Sequence, residues 1–259
     1  MSNQALSINL DQPYIPQLTE VDFKPIFILG DHRSGTTLLY QLLASSDCFN
    51  VFKAYHIIKY DEILHNHIHR IESVKLNELE AQFKQLGISD REFDLVQVSP
   101  ELPEEYGFIL RNTGHEPYVN PSNLAIFAEA CQKVQFTGDA DKSLLLKNPW
   151  CYPHFEYLRQ TFPNARFIFI HRNPVQVINS KLKVVDTVLS RWNPYTGLIS
   201  KRYHKIFKSP TNRLLYRVMY SKRFNLGLRK VLHQSMESTT YFLGAYKKFI
   251  GAAVHFYSV

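Results

Sequence analysis

The residues best able to do chemistry in this 259-residue chain lie in IFILGDHRSGTTLL, Ile26 to Leu39. Four apolar strand formers run into Gly30, and a polar loop follows that closes on Gly35-Thr36-Thr37. Leu38, Leu39, Leu42 and Leu43 then recur at helical spacing as an apolar stripe. A strand, a glycine-bearing turn and a helix start together present backbone N–H groups and the positive end of a helix dipole to an anion. Gly30 and Gly35 keep the G-x-x-x-x-G spacing of nucleoside-triphosphate loops, but Thr36 stands where those loops carry the Lys that spans the β- and γ-phosphates. The cation comes earlier, at Arg33. The pattern predicts a site for a 5′-phosphate-type anion rather than for a triphosphate with magnesium.

A second strand runs into a helix at FIFIHRNPVQVINSKLK, Phe167 to Lys183, with Asn173 placed as N-cap and Pro174 at the first helical position. Arg172 sits at the strand end, and Ser180 follows about two helical turns on, ~10 Å along the axis. RSGTT after a strand resembles the 5′-phosphosulfate loop of sulfotransferases that use 3′-phosphoadenosine-5′-phosphosulfate (PAPS). Arg172 and Ser180 resemble the Arg and Ser that grip the 3′-phosphate in that family. The resemblance covers roughly residues 25–185. It implies a P-loop-type fold, PAPS as co-substrate with 3′-phosphoadenosine-5′-phosphate (PAP) as product, and no metal.

The same resemblance supplies roles for individual residues. Arg33, Ser34, Gly35, Thr36 and Thr37 would bind the 5′-phosphosulfate. Lys147, in LLLKNPW, matches a Lys that relatives aim at the bridging oxygen of the leaving phosphate. The general base is less clear-cut, because cytosolic relatives carry a His two residues after that Lys, and here the position is Pro149. His56 is the first candidate, since an imidazole with an ordinary pKa near 6.5 suits a base at neutral pH. Glu105 is the second, because LPEEYGFIL (Leu102 to Leu110) resembles an acidic segment of bacterial members. Asp61 and Glu62 rank third. His65, His67 and His69 alternate at a spacing of two, which does not place all three on one helical face, so they predict no metal site.

These groups need a scaffold at strand ends. Strands are expected at Ile26–Leu29, Ser143–Lys147, Arg166–His171 and Ala252–Ser258, with helices at Thr36–Ala44, Tyr152–Thr161 and Pro174–Leu189. Strands alternating with helices predict an α/β fold, a parallel central sheet flanked by helices, with ligands at the carboxyl ends of the strands. Residues 1–24 read as an irregular lead-in, and 53–141 as a helical insertion over the acceptor side of one domain spanning 1–259. Relatives usually continue past a strand like AAVHFYSV, Ala252 to Val259, with a further helix and a Gly-rich adenosine loop. Either Arg and Lys residues of 201–230 replace that loop or the chain is shortened.

Hydrophobic residues make up 45% of the chain, which supports a globular core, and no apolar run is long enough to span a bilayer. The first 25 residues carry Asp11, Glu20, Asp22 and three prolines, unlike a signal peptide. Cys48, Cys131 and Cys151 are odd in number and widely spaced, which predicts reduced thiols and a cytoplasmic location. The net charge of +7 is uneven: residues 181–259 hold 15 Lys and Arg against two acids, leaving 15 basic and 21 acidic for the first 180. A basic rim attracts an anionic donor or acceptor. Nucleic acid fits less well, because the basic residues are not interleaved with aromatic stacking motifs. The acceptor is expected to be a hydroxyl or amine of a carbohydrate, lipid or small metabolite. A nucleotide kinase and a non-catalytic nucleotide-binding relative are the alternatives.

Overall fold

The computed structural model describes residues 9–211 apart from 93, 95, 178, 182, 183 and 185–191. Four parallel strands, β1 (Pro25–Leu29), β2 (Phe49–Val51), β3 (Ser143–Lys147) and β4 (Arg166–Phe169), form one sheet in the order β2-β3-β1-β4. Side chains alternate across it as strand geometry requires. Phe27, Leu29, Leu144 and Leu146 point into the larger core, while Ile28 and Leu145 meet Tyr40 on the other face. Lys147 lies two residues beyond Leu145, so the same alternation turns it toward the Tyr40 side, where α1 (Thr36–Ala44) packs.

The parallel α/β architecture is the one the sequence predicts, and three of its strands fall where expected. β4 ends two residues early as a strand, though the Ile170 amide still donates to the Leu29 carbonyl at 2.9 Å. β2 has only three residues, too few for an alternation to register. The expected strand at 252–258 lies outside the described residues. The expected helix at Tyr152–Thr161 is divided into a 3-10 turn at Pro149–His154 and α7 (Phe155–Thr161). Pro153 explains the break, since it lacks an N–H and disfavours helical geometry at Tyr152. A further helix, α8, is helical at 174–177, 179–181 and 184, and its expected extension to Leu189 lies outside the described residues. It is followed by α9 (Pro194–Ile199) and α10 (Lys201–Lys208).

Two expectations change. The lead-in is not irregular throughout: Gln12–Glu20 forms a 3-10 helix, with Pro16 inside it removing a donor that a longer α-helix would need. The apolar stripe of α1 is only half internal. Leu39 and Leu43 pack against the sheet, while Leu38 and Leu42 are 64% and 60% exposed on the opposite face.

The 53–141 stretch holds several helices and builds part of the core. It holds α2 (Ala54–Ile58), α3 (Ile63–Ile68), α4 (Glu72–Gln85), α5 (Gly107–Asn112) and α6 (Leu124–Thr137). Phe127 of α6 is fully buried and stacks on Phe27 of β1 with centroids 6.3 Å apart. Burying such a ring contributes roughly 1.5–3 kcal/mol. The stretch therefore shares one face of the sheet with α7, whose Phe155 packs on Phe167 and Phe169 of β4.

A buried ion pair ties the lead-in to this helical layer. Lys133 and Asp11 are both fully buried, with Nζ 2.9 Å from Oδ2. Lys133 also reaches the Tyr60 carbonyl at 3.1 Å, and the Asp11 carboxylate accepts from the His65 amide at 3.0 Å. Removing one partner strands a charge in the interior. Lys133→Ala should lower unfolding free energy by about 3–5 kcal/mol in urea denaturation. The neutral pair Lys133→Met with Asp11→Asn should recover at least half of that loss.

Candidate functional site

Where β1 ends, the backbone passes so close to β4 that only glycine fits. A Cβ on Gly30 would stand 2.5 Å from Ile170 Cγ2 and 2.8 Å from both the Ile170 carbonyl and Ser34 Oγ. The loop then folds on itself, with the Asp31 carbonyl accepting from the Ser34 amide at 3.1 Å and the Ser34 hydroxyl at 2.7 Å. Arg33 (φ 70°) and Gly35 (φ 105°) both take left-handed backbone. For Arg33 this costs about 1–3 kcal/mol, of the kind that clusters at ligand clamps. Gly35 caps α1 and supplies no side chain to the first-turn amides. Those amides are left for an anion, and the buried Thr36 lies among them.

The two sequence motifs converge here because β1 and β4 are neighbours. Arg33 Nε donates to Ser180 Oγ at 2.9 Å, across 147 residues of chain. Arg172 Nη1 donates to the Arg33 carbonyl at 3.3 Å, and its Nε donates to Gln176 at 3.1 Å. Asn173 caps α8 as its position predicts, accepting from the Val175 amide at 3.0 Å. Lys181, one residue beyond Ser180, is held by Asp31 at 2.6 Å. Arg33, Ser34, Gly35, Thr36, Thr37, Arg172 and Ser180 thus form one cluster at the carboxyl end of the sheet.

Lys147 and Glu105 join that cluster from the β3 side. Lys147 Nζ donates to Thr37 Oγ1 at 3.1 Å and forms an ion pair with the Glu105 carboxylate. Both residues are buried. Glu105 is presented by a short extended segment: Lys53 bridges Pro103, and the Glu104 amide donates to the Phe52 carbonyl at 2.8 Å. These groups border a cavity of about 480 Å³, which also takes in His32, Trp150 and Tyr195.

His56 is not brought to this place. Its Nδ1 accepts from the Lys53 amide at 3.1 Å, closing a capping box on α2, and the ring also engages the Val51 backbone. It borders a different hollow, with Asn50, Glu101 and Gly138. Burial, with Lys53 adding, lowers its pKa to about 3, so it is held neutral in a structural cap. Asp61 and Glu62 lie in a 3-10 turn where Glu62 pairs with Lys59 at 2.9 Å, and neither borders the cavity. His65 and His69, four residues apart, stack with centroids 4.3 Å apart. Among the described residues no group of three or more His, Cys, Asp or Glu side chains could hold a metal ion.

The sequence reading missed one whole wall. Arg91 Nη1 lies 3.1 Å from Glu104 Oε1, its Nε lies 3.2 Å from Asp94, and Tyr195 donates to Glu104 at 2.7 Å. Asp94 also lies 3.8 Å from Arg33, linking this wall to the phosphate-type loop. No spacing rule announces a network drawn from residues 91 to 195. His32 was passed over inside the loop itself. Its ring meets Trp150 edge-on at 5.0 Å, and burial, then Lys181, lowers its pKa to about 3.

The sequence model of the sulfotransferase family matches residues 25–232. Omega-hydroxy-beta-dihydromenaquinone-9 sulfotransferase Stf3 from Mycobacterium bovis is 28% identical over 184 residues, 61% of this chain and 44% of that protein. The Mycobacterium tuberculosis protein of the same name matches equally. The chain thus spans less than half the length of these curated relatives. The crystal structure of sulfotransferase STF9 from Mycobacterium avium aligns with a TM-score of 0.47 and 17% identity, over 93% of this chain and 66% of that one.

The depressed His56 and His32 pKa values make stability depend on pH. Each ring takes up a proton near pH 6.5 when unfolded and only near 3 when folded. Stability is therefore full above about pH 6.5 and falls as pH drops toward 3, by up to ~1.4 kcal/mol per pH unit for each ring. Urea midpoints measured at pH 7 and pH 5 should show the loss. His56→Ala should be less stable at pH 7 by about 1–2 kcal/mol, as for a lost cap, yet lose less between the two pH values.

Proposed function

The chain belongs to the sulfotransferase family, and we propose that it moves a sulfuryl group from PAPS to a hydroxyl or amine acceptor lodged beside Glu105. The observation that carries the reading is the meeting of Lys147, Thr37 and Glu105 at the uncapped start of α1, with Arg33, Arg172 and Ser180 alongside. A donor with anionic groups at the 3′ and 5′ positions of its ribose calls for two anion sites near each other, and the contacts of Arg33 with Ser180 and of Arg172 with the Arg33 carbonyl support that reading. Gly35 gives the first-turn amides of α1 no side-chain cap, which fits close approach of a phosphate group there. The two curated relatives are named for a hydroxylated acceptor, which supports a hydroxyl here. Free thiols at Cys48, Cys131 and Cys151 fit a reducing, cytoplasmic setting.

Each residue then has a task. The Gly35–Thr37 amides and Arg33 hold the 5′-phosphosulfate, and Arg172 with Ser180 holds the 3′-phosphate. Bound PAPS supplies an activated sulfuryl group on a phosphate leaving group. Lys147 neutralises the bridging oxygen, which keeps the electron pair as its bond to sulfur breaks. Glu105 accepts the proton that the acceptor loses as its own oxygen or nitrogen bonds to sulfur. His56 has no part in this, since its ring is engaged and buried elsewhere. Proton transfer falls to Glu105 because it already lies against Lys147. Arg33, Lys147 and Arg172 provide the charge that a magnesium ion provides in kinases.

Three measurements test the reading. By calorimetry PAP should bind ~10- to 150-fold more tightly than AMP, the value of a charge-assisted contact to the 3′-phosphate. Arg172→Ala should erase that preference while the fold survives, and equal affinities in the native protein would overturn the assignment. Lys147→Ala should lower kcat by a factor on the order of 10²–10³ with a far smaller change in PAP affinity. Glu105→Gln should cut kcat to a similar extent, while turnover in excess chelator should equal that with magnesium.

A further inference from the structure

We infer that the acceptor is a neutral, apolar alcohol or phenol, and that Trp150 is the platform on which its apolar body lies. This rests on the sulfuryl-transfer reading above and narrows its acceptor class, which that reading leaves open between carbohydrate, lipid and small metabolite.

The first argument is the charge on the wall facing the donor loop. Among the described residues the ionised groups of this wall that border the cavity are paired with one another: Arg91 with Asp94 and Glu104, and Lys147 with Glu105; Arg111, near Trp150, does not border it. Glu104 also accepts from Tyr195, so one carboxylate oxygen takes both a guanidinium and a phenol. A cationic amine or an anionic acceptor entering this wall would have to break a buried pair to find a counter-charge. A neutral acceptor disturbs none of them. The rest of this side, among the described residues, is mostly apolar, with Val96, Phe108, Pro149, Trp150 and Ile199 against the polar Thr196 and His32, so it offers few hydrogen-bond partners for a polyol.

The second argument is how Trp150 is held. Phe108 meets it edge-on at 5.7 Å, His32 edge-on at 5.0 Å, and the Arg111 guanidinium lies 5.2 Å from its ring centroid. Gly107 makes room for it, since a Cβ there would stand 2.9 Å from Trp150 Cε3. The His32 ring, kept neutral by burial, adds no charge to the platform. Trp150, Lys147 and Glu105 border the same cavity, which lets an acceptor lying on the ring turn its hydroxyl toward the Lys147–Glu105 pair. In the transfer the hydroxyl oxygen bonds to sulfur, its proton passes to Glu105, and the electron pair of the broken sulfur–oxygen bond stays with PAP.

The test compares 1-naphthol with glucosamine as acceptor for the full chain, with PAPS as donor. The kcat/KM for 1-naphthol should exceed that for glucosamine by on the order of 100-fold. Trp150→Ala should raise the KM for 1-naphthol about tenfold or more while the Kd for PAP stays the same, and Trp150→Phe should restore most of the loss. Glucosamine turned over as well as 1-naphthol would overturn the acceptor class. An unchanged KM in Trp150→Ala, or an equal loss of PAP binding, would overturn the role of Trp150. PAP binding without transfer to 1-naphthol sinks this inference and leaves the donor reading standing. Failure to bind PAP sinks the donor reading and this inference together.

Discussion

The close approach of β1 and β4 beyond Leu29 is the constraint on which the site depends. Gly30 lies so near Ile170 that a single methyl group would force the two strand ends apart. Because they do not part, the loop after β1 and the helix after β4 share one surface, and Arg33 can reach Ser180. Parallel pairing makes this possible, since it puts both strand ends on the same edge of the sheet, where loops rather than side-chain layers meet. Asp31 adds a second tie by holding Lys181 of α8. Two segments far apart in sequence become a single surface through one missing Cβ and three side-chain contacts.

Alternation along β3 carries the argument to the other side of the site. Leu144 and Leu146 belong to the large core, and Leu145 and Lys147 face α1. A one-residue slip in register would send Lys147 into the hydrophobic layer around Phe127 and remove it from Thr37. Burial of the three preceding leucines therefore fixes where the ammonium group goes. Packing energy distributed over the sheet sets the position of one charge, a better guarantee of geometry than any contact made by the Lys itself.

Much of this was legible in the residues. The strand–loop–helix at 26–44, the capped corner at Asn173 and the strand leading to Lys147 all announce themselves through local signals: periodicity, caps and glycine spacing. What stayed hidden depends on tertiary contact. β2 is three residues long and exists because β3 offers an edge to pair with. His56 reads as a free imidazole in sequence, and only the fold shows its ring closing a helix cap. Glu105 was legible through its resemblance to a bacterial segment but was ranked below His56, because nothing local says which of them meets Lys147. The Arg91–Asp94–Glu104–Tyr195 wall draws on residues up to about a hundred positions apart, beyond any window a sequence pattern can use.

That wall is a poor device for stability. Replacing a buried ion pair with apolar groups of similar size is often neutral or stabilising by about 1–4 kcal/mol. Arg91, Glu104, Glu105 and Lys147 are nevertheless all buried around one cavity. Their arrangement makes sense as electrostatic preparation: in a low-dielectric setting, charges held in place before a reaction need no reorganisation when charge shifts during it. Arg91 is engaged by two carboxylates, which holds Glu104 and Asp94 still and leaves Glu105 as the carboxylate that faces Lys147. Lys147 in turn touches Thr37 at the start of α1, so the same contact that neutralises Glu105 in the free protein points at the anion cradle. On the proposed reading, these ion pairs hold in place the carboxylate that would take the proton and the ammonium that would meet the leaving oxygen.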